Sequence, residues 1–227
     1  MTMEAHCFQN VQWIKFILPI FATFLGAWLA FFLQNRRDAK KQEKTNYGVL
    51  LKTQALFYEY FEAIYSVKKD FLDQHAKDAE RSTRVKHISL CQKFSELDFE
   101  GISFILTTKN PDLFGDIVCT YRKCVSAIEA INERNKQYGK YSGGIAKSID
   151  LGSGKSQVDL IFLRDFTDIM YRETDQVLQR IKQIDGELQQ FIKEKFKGKH
   201  ALKVTFVETA TQCAKGNADG GGHETVA

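Results

Sequence analysis

The sequence predicts an all-α protein in which a single N-terminal transmembrane helix precedes an antiparallel cytoplasmic helical bundle with long, coiled-coil-like helices. Three observations predict this class: a run of 18 uncharged residues near the start, apolar residues at helical spacing through most of the remainder, and only 2 prolines among 227 residues. A long helix with one apolar stripe must bury that stripe against another helix, so the repeated stripes predict a bundle.

The predicted transmembrane helix covers residues 12–35, and residues 16–33 within it carry no charge. As a helix this uncharged run is about 27 Å long, close to the hydrocarbon thickness of a bilayer. A cleaved signal peptide fits less well, because the run is long and a basic cluster follows it instead of a small-residue cleavage site. A buried core helix also fits less well, since apolar residues cover all sides.

Charge on the two flanks predicts the orientation of this helix. Residues 1–14 contain no lysine or arginine, whereas "RRDAKKQEK" within the juxtamembrane segment 36–46 has five basic and two acidic residues. The positive-inside rule places residues 1–11 outside the cell and the remainder in the cytoplasm, which predicts a single-pass membrane protein. The residues expected to set orientation and contact membrane lipid are Arg36, Arg37, Lys40 and Lys41.

Small residues recur every four positions inside the predicted span, at Ala22, Gly26 and Ala30. On a helix they form one strip that lets two backbones approach closely, and such strips drive helix pairing in lipid. The strip therefore predicts transmembrane packing and a homo-oligomer, although small residues are common in any span.

Residues 47–206 are predicted to form the bundle. Its first helix carries a stripe from Leu50 to Phe71, and Gly48 leaves open whether this helix is continuous with the membrane helix. A second helix is expected from Ile88 to Leu106, broken near residues 98–101. The members of the first stripe are Leu50, Phe57, Phe61, Ile64 and Phe71, widened by Leu56, Tyr60 and Val67.

The third and fourth bundle helices are the most regular. Asn110 is predicted as the cap of the third, with Pro111 at its first position and an end near Tyr138. The fourth runs about 40 residues from Ser156 and stops at Gly198. Its stripe is Leu163, Phe166, Met170, Val177, Ile181, Ile184, Leu188 and Phe191. Residues 202–206 alternate like a strand without a partner strand, and residues 207–227 are predicted to be disordered.

The stretch "DLGSGKS" ends as a phosphate-binding P-loop does. A P-loop requires glycine where this chain has Ile149, and it requires a strand leading into the motif. We therefore interpret residues 139–156 as a basic interhelix loop closed by a Ser156 cap. A weaker hypothesis remains open, in which Lys147, Lys155 and Ser156 contact a small anionic ligand or lipid phosphate near the helix N-terminus.

No catalytic, cofactor-binding or metal-binding residues emerge from the remaining motifs. The chain has no Glu-x-x-His pair, and its five cysteines match neither a disulfide framework nor a zinc pattern. We expect Cys91, Cys119 and Cys124 to pack as small core residues. A net charge of +4 is too small to argue for nucleic acid. These observations favour a protein that is not an enzyme and has no cofactor.

Three stretches carry a resemblance: "WIKFILPIFATFLGAWLAFFLQNRR", "ISFILTTKNPDLF" and "AIEAINERN". Together with the long closing helix they resemble small uncharacterised single-pass inner-membrane proteins of bacteria that carry a helical cytoplasmic domain. The resemblance implies a membrane-anchored interaction or scaffold protein that self-associates or binds a protein partner, and it supplies no functional residues. Some phage-defence effectors share this layout, which leaves a membrane effector or sensor as the alternative.

Overall fold

The computed structural model describes residues 4–90, 93–148, 155–203 and 206. For residues 4–18, 144–148, 155 and 156 it describes the helical backbone only. The described part of the chain is all-helical and contains no strand, which confirms the all-α class. Its helices are α1 (Glu4–Val67), α2 (Arg81–Arg84), α3 (Phe99–Ile102), α4 (Asp112–Ser148) and α5 (Lys155–Lys195). A π-helical turn (Lys68–Leu72) and two 3₁₀ turns (Asp73–His75 and Ser103–Thr107) lie between them.

Helix α1 is continuous for 64 residues, or about 96 Å. It passes through Gly48 without a break, so the predicted membrane helix and the first bundle helix are one element. Among the side chains that the structure describes, those of residues 19–45 are exposed, and packing against the rest of the molecule begins near Asn46. The buried apolar residues of α1 are Leu50, Leu56, Phe57, Tyr60, Phe61, Ile64 and Val67, as their spacing predicts.

Helices α4 and α5 form an antiparallel hairpin, and α1 runs antiparallel to α5. Arg180 of α5 pairs with Asp116 near the start of α4. Lys68 at the end of α1 pairs with Asp175, which lies in the middle of α5. The bundle therefore has three long helices, with α1 and α4 pointing the same way, rather than the four that the sequence predicts.

The stripe predicted on α5 forms the centre of the core. Seven of its eight members are buried, and Phe166 is half-buried. Thr167 and Thr174 are buried beside them, and their hydroxyls donate to the carbonyl oxygens of Leu163 (2.6 Å) and Met170 (2.7 Å). Because each hydroxyl is bonded within its own helix, threonine packs here without an unsatisfied polar group.

The predicted second helix, Ile88 to Leu106, is wrong over most of its length. Residues 85–90 and 93–98 are not helical, and helical turns begin only at Phe99. The reason is a set of long-range hydrogen bonds. The Asn135 side chain accepts from the backbone N–H of Ile88 at 3.0 Å and donates to its carbonyl oxygen at 2.6 Å, so this backbone is satisfied without a helix.

The predicted basic loop over residues 139–156 is also wrong in its boundaries. Helix α4 continues through Gly139 to Ser148, since each interior glycine costs only about 1 kcal/mol relative to alanine. Lys147 therefore lies in α4. Helix α5 begins at Lys155, which places Ser156 inside its first turn instead of at the N-cap. Residues 149–154 lie outside the described part.

The end of α5 follows the prediction. The helix stops at Lys195, and Gly198 adopts a φ of 79°, the left-handed conformation that commonly ends a helix. Residues 201–203 form no strand, and the Phe206 ring packs against that of Phe61 with centroids 4.6 Å apart. The predicted disordered tail, residues 207–227, lies outside the described part.

Candidate membrane and interaction surfaces

The first candidate surface is the apolar segment, which we define as residues 19–33 of α1. Its large apolar side chains are between 46% and 73% exposed. They are Ile20, Phe21, Phe24, Leu25, Trp28, Leu29, Phe31, Phe32 and Leu33. Over the residues that the structure describes, no helix meets the length and hydropathy required of a membrane span. The hydroxyl of Thr23 donates to the carbonyl oxygen of Pro19 at 2.8 Å, so it is satisfied within the helix.

The small-residue strip of Ala22, Gly26 and Ala30 is exposed along its length, and no neighbouring atom lies within 4 Å of a Cβ placed on Gly26. These positions are therefore open to contact with another helix.

The predicted orienting residues Arg36, Arg37, Lys40 and Lys41 are all exposed. They lie on a stretch of α1 that no other described element covers. Side chains along this stretch bond within the helix, as Gln42 does when it donates to Asn46 at 2.9 Å. The apolar segment and the bundle are thus joined by a basic helical stalk, residues 34–46.

The end of α5 returns to α1 at the foot of this stalk. The Tyr47 hydroxyl donates to the carbonyl oxygen of His200 at 2.7 Å. The Lys199 ammonium lies 4.9 Å from the centroid of the Tyr47 ring and 3.5 Å from a carboxylate oxygen of Glu43. Sequence reasoning missed this contact, because residues 43–47 and 199–200 are far apart in the chain.

A second set of polar contacts lies inside the α1–α5 interface, just after the stalk along α1. The Gln54 side-chain amide donates to Asp185 at 3.0 Å, and that of Gln189 donates to the same carboxylate at 2.6 Å. The Gln54 carbonyl oxygen also accepts from the backbone N–H of Leu202 at 3.2 Å. Burial raises the pKa of Asp185, although both amide hydrogen bonds oppose that rise.

At the far end of the bundle, Arg134 is fully buried and holds the strap, residues 82–90. Its guanidinium donates to the carbonyl oxygens of Lys86 (2.7 Å), Ser82 (2.9 Å) and Val85. It also lies 4.8 Å from the centroid of the Tyr138 ring. Burial lowers the pKa of Arg134 to about 10, so it stays charged at neutral pH. Without an acidic partner, this arginine acts as a clamp on backbone carbonyls.

The tip of the α4–α5 hairpin extends beyond the end of α1. Because α1 no longer covers it there, α5 exposes Val158 (50%), Ile161 (60%) and Phe162 (50%). The predicted anion contact at Lys147, Lys155 and Ser156 is at this tip as well, but those side chains lie outside the described part. That contact stays a prediction.

One predicted core residue is on the surface. Cys119 is exposed on α4, whereas Cys124 is buried as predicted and burial raises its pKa to about 12. Cys119 falls on the outer side of α4, away from the stripe that faces the core. Cys91 lies outside the described part.

Among the described residues, no three His, Cys, Asp or Glu side chains lie close enough together to hold a metal ion. Comparisons with protein-family models, with curated proteins and with solved structures find no match for this chain. Function is therefore inferred from the surfaces of the molecule.

Proposed function

We propose that this chain is a membrane-anchored interaction or scaffold protein of the bacterial inner membrane. It crosses the bilayer once, self-associates, and holds its helical bundle at the cytoplasmic face, where a protein partner binds. The observation that carries the proposal is the exposure of the apolar segment on the same helix that forms part of a packed core.

The apolar segment is more apolar than a water-exposed surface allows. Water-soluble monomers rarely expose one apolar patch larger than a few hundred Å². Each large side chain buried from water contributes about 1.5–3 kcal/mol, and nine of them are exposed here. The large side chains and the small residues between them leave no charged side on this helix, and a partner helix would cover one side only. Lipid covers every side, which favours a membrane span over a protein groove.

Length and flanking charge support the same proposal. The uncharged run of residues 16–33 begins three residues before the apolar segment, and the α1 backbone is helical throughout it. The basic stalk follows at once, so the bundle is expected on the cytoplasmic side. Residues 1–11 then lie outside the cell.

Self-association is proposed through the strip of Ala22, Gly26 and Ala30. Because the strip is exposed and lies ahead of the stalk and the bundle along α1, two copies can bring their strips together within the membrane.

Crosslinking of the full chain in membranes tests this pairing. We expect a dimer that Gly26→Leu weakens, because a large side chain prevents close approach of the two backbones. The matched control is Gly48→Leu, since Gly48 is also on α1 with no atom within 4 Å of its built Cβ but lies outside the span. A monomer in the parent chain, or equal loss in both variants, contradicts pairing through the strip.

A second function is favoured by one specific observation, the unbroken passage of α1 from the span into the bundle. A continuous helix can transmit a rotation or tilt, so a ligand or partner of the bundle would control how the spans assemble. The chain would then be a membrane effector or sensor. Expression with a membrane-potential dye tests this alternative, and an unchanged potential with and without candidate ligands counts against it.

A further inference from the structure

Two basic stretches that are distant in the sequence meet at one end of the molecule. The first is the stalk of α1, and the second is the end of α5 with the turn that follows it. The contacts of Lys199 with Glu43 and Tyr47 bring the two together. We define the basic end as Lys193, Lys195, Lys197, Lys199 and Lys203.

The charge of the basic end is only partly offset. Residues 193–203 contain five lysines and one acidic residue, Glu194, which accepts a hydrogen bond from Gln190 at 2.9 Å. Lys193, Lys195, Lys197 and Lys203 are exposed. Lysine near a helix C-terminus stabilises the helix dipole, which accounts for Lys193 and Lys195 in the last turn. Lys197 and Lys203 lie beyond the helix, so the dipole does not account for them.

The position of this end relative to the proposed bilayer decides what it meets. Along α1, Leu33 and Glu43 are about 15 Å apart, and Lys199 is level with Glu43. Headgroups occupy roughly 5–7 Å on each side of the hydrocarbon layer. The remaining gap is comparable to the Debye length of about 8 Å at physiological salt, so the lysines lie within reach of the surface potential.

We propose that the basic end binds anionic phospholipid headgroups and makes α1 lean toward the α5 side, so that the bundle rests against the membrane surface. The proposal rests on the membrane anchoring proposed above. It adds a second lipid contact, made by the bundle and not by the stalk. The group bound is the phosphate of a bilayer lipid. Lysine suits this contact because its ammonium group is carried on a flexible stem and can follow a headgroup at an exposed surface.

A photo-crosslinking amino acid at position 197 of the full chain tests this contact. The protein is reconstituted in vesicles of phosphatidylcholine alone and of equal parts phosphatidylcholine and phosphatidylglycerol. We expect a lipid adduct at 197 that is several-fold stronger with phosphatidylglycerol. The same probe at position 123, an exposed lysine on α4 and far from this end, is expected to give no adduct.

Two charge variants complete the test. The triple variant Lys193→Gln, Lys195→Gln and Lys203→Gln is expected to lower the adduct at 197 several-fold. The control variant Lys77→Gln, Lys86→Gln and Lys93→Gln removes the same charge from exposed positions elsewhere and is expected to leave the adduct unchanged. Equal loss in both variants overturns the proposal, because net charge alone would then explain binding.

Carbonate extraction of the same vesicles separates failure of this contact from failure of the membrane anchor. A chain that resists extraction but gives no adduct at 197 overturns the proposed contact and leaves the anchor intact. An adduct with an added oligoribonucleotide and not with phosphatidylglycerol assigns the basic end to nucleic acid and overturns the proposal. Inorganic phosphate is also added as a competitor, with chloride at equal ionic strength as its control. A greater loss of the adduct at 197 with phosphate than with chloride would assign the basic end to free phosphate and overturn the proposal.

Discussion

The apolar segment of α1 and its packed segment, residues 47–67, are both rich in large apolar side chains, yet only the packed segment buries them. Phe57 is 1% exposed and Phe24 is 73% exposed on the same helix. In the packed segment the apolar residues form a stripe and polar residues cover the other side. In the apolar segment they cover most of the circumference, and the small residues Ala22, Gly26 and Ala30 lie on the remaining side.

This difference shows that two segments of one continuous helix differ in how they meet the rest of the chain. The stripe of the packed segment matches the hydrophobic faces of α4 and α5, so the protein itself supplies its apolar surroundings. No element of the described chain supplies them for the apolar segment, and lipid supplies them in the function proposed above.

The largest contrast is expected between two alanine variants of phenylalanine. Phe57→Ala leaves a cavity in the core and should lower the free energy of unfolding of the bundle by about 3–5 kcal/mol. Phe24→Ala removes the same atoms from an exposed site and should change it little. Denaturant unfolding of the full chain in detergent measures both, and a similar loss in the two variants would refute the contrast.

The clamp that covers the end of the packed segment is next. Val67 packs with Val85 and Ile88 of the strap, which Arg134 holds. Arg134→Met leaves carbonyl oxygens of the strap without a donor, and we expect a loss of about 3 kcal/mol. Arg164→Met, at an exposed position on α5, is the control and should be nearly neutral in the same unfolding measurement. Stability unchanged by Arg134→Met would mean that the clamp is dispensable.

A lysine substitution in each segment tests whether that segment is surrounded by lipid or by water. Leu25→Lys puts a charge near the middle of the proposed span and should disfavour insertion by about 2.5–3.5 kcal/mol. Ala55→Lys puts the same charge on the exposed side of the packed segment and should have little effect. The fraction of the chain in washed membranes measures insertion. Retention of the Leu25→Lys variant at the parent level would argue against a span at this position.

The smallest effect is a pH dependence from Asp185 of α5, whose carboxylate accepts a hydrogen bond from Gln54 of the packed segment. Because the pKa of Asp185 is raised in the folded state, the folded chain holds this proton more tightly than the unfolded chain does. Stability from this group is therefore greatest below the unfolded pKa of about 3.9 and is lost as pH rises through the folded pKa. Asp185→Asn should lower the pH dependence of Tm, measured by thermal unfolding from acid to neutral pH. Identical slopes in the two proteins would contradict this account.

Local pattern was sufficient to predict the long helices and their core faces. The stripes on α1 and α5 depend only on spacing within one helix, so Ile64 and Ile184 were predicted to be buried and are. The all-α class follows from the same spacing. Lys147 was misplaced because glycines nearby suggested a loop, although the helix tolerates their modest cost.

Long-range polar contacts could not be predicted from local pattern. Apolar residues from Ile88 onward resemble a helix, but Arg134 and Asn135, far away in the chain, bond the backbone of Lys86 and Ile88 in a non-helical form. The basic end was missed for a related reason. Its lysines are ordinary at a helix terminus, and their position beside the stalk becomes visible only when α5 is seen to return to Tyr47.

Protease protection of the full chain in sealed inner-membrane vesicles tests the central claim, that the apolar segment of α1 spans a bilayer with the bundle on the cytoplasmic side. With the cytoplasmic face outward, trypsin is expected to digest the bundle and the stalk and to leave a membrane-bound fragment that contains residues 16–33. Release of the intact chain from the vesicles by alkaline carbonate, or digestion through residues 16–33, would contradict it.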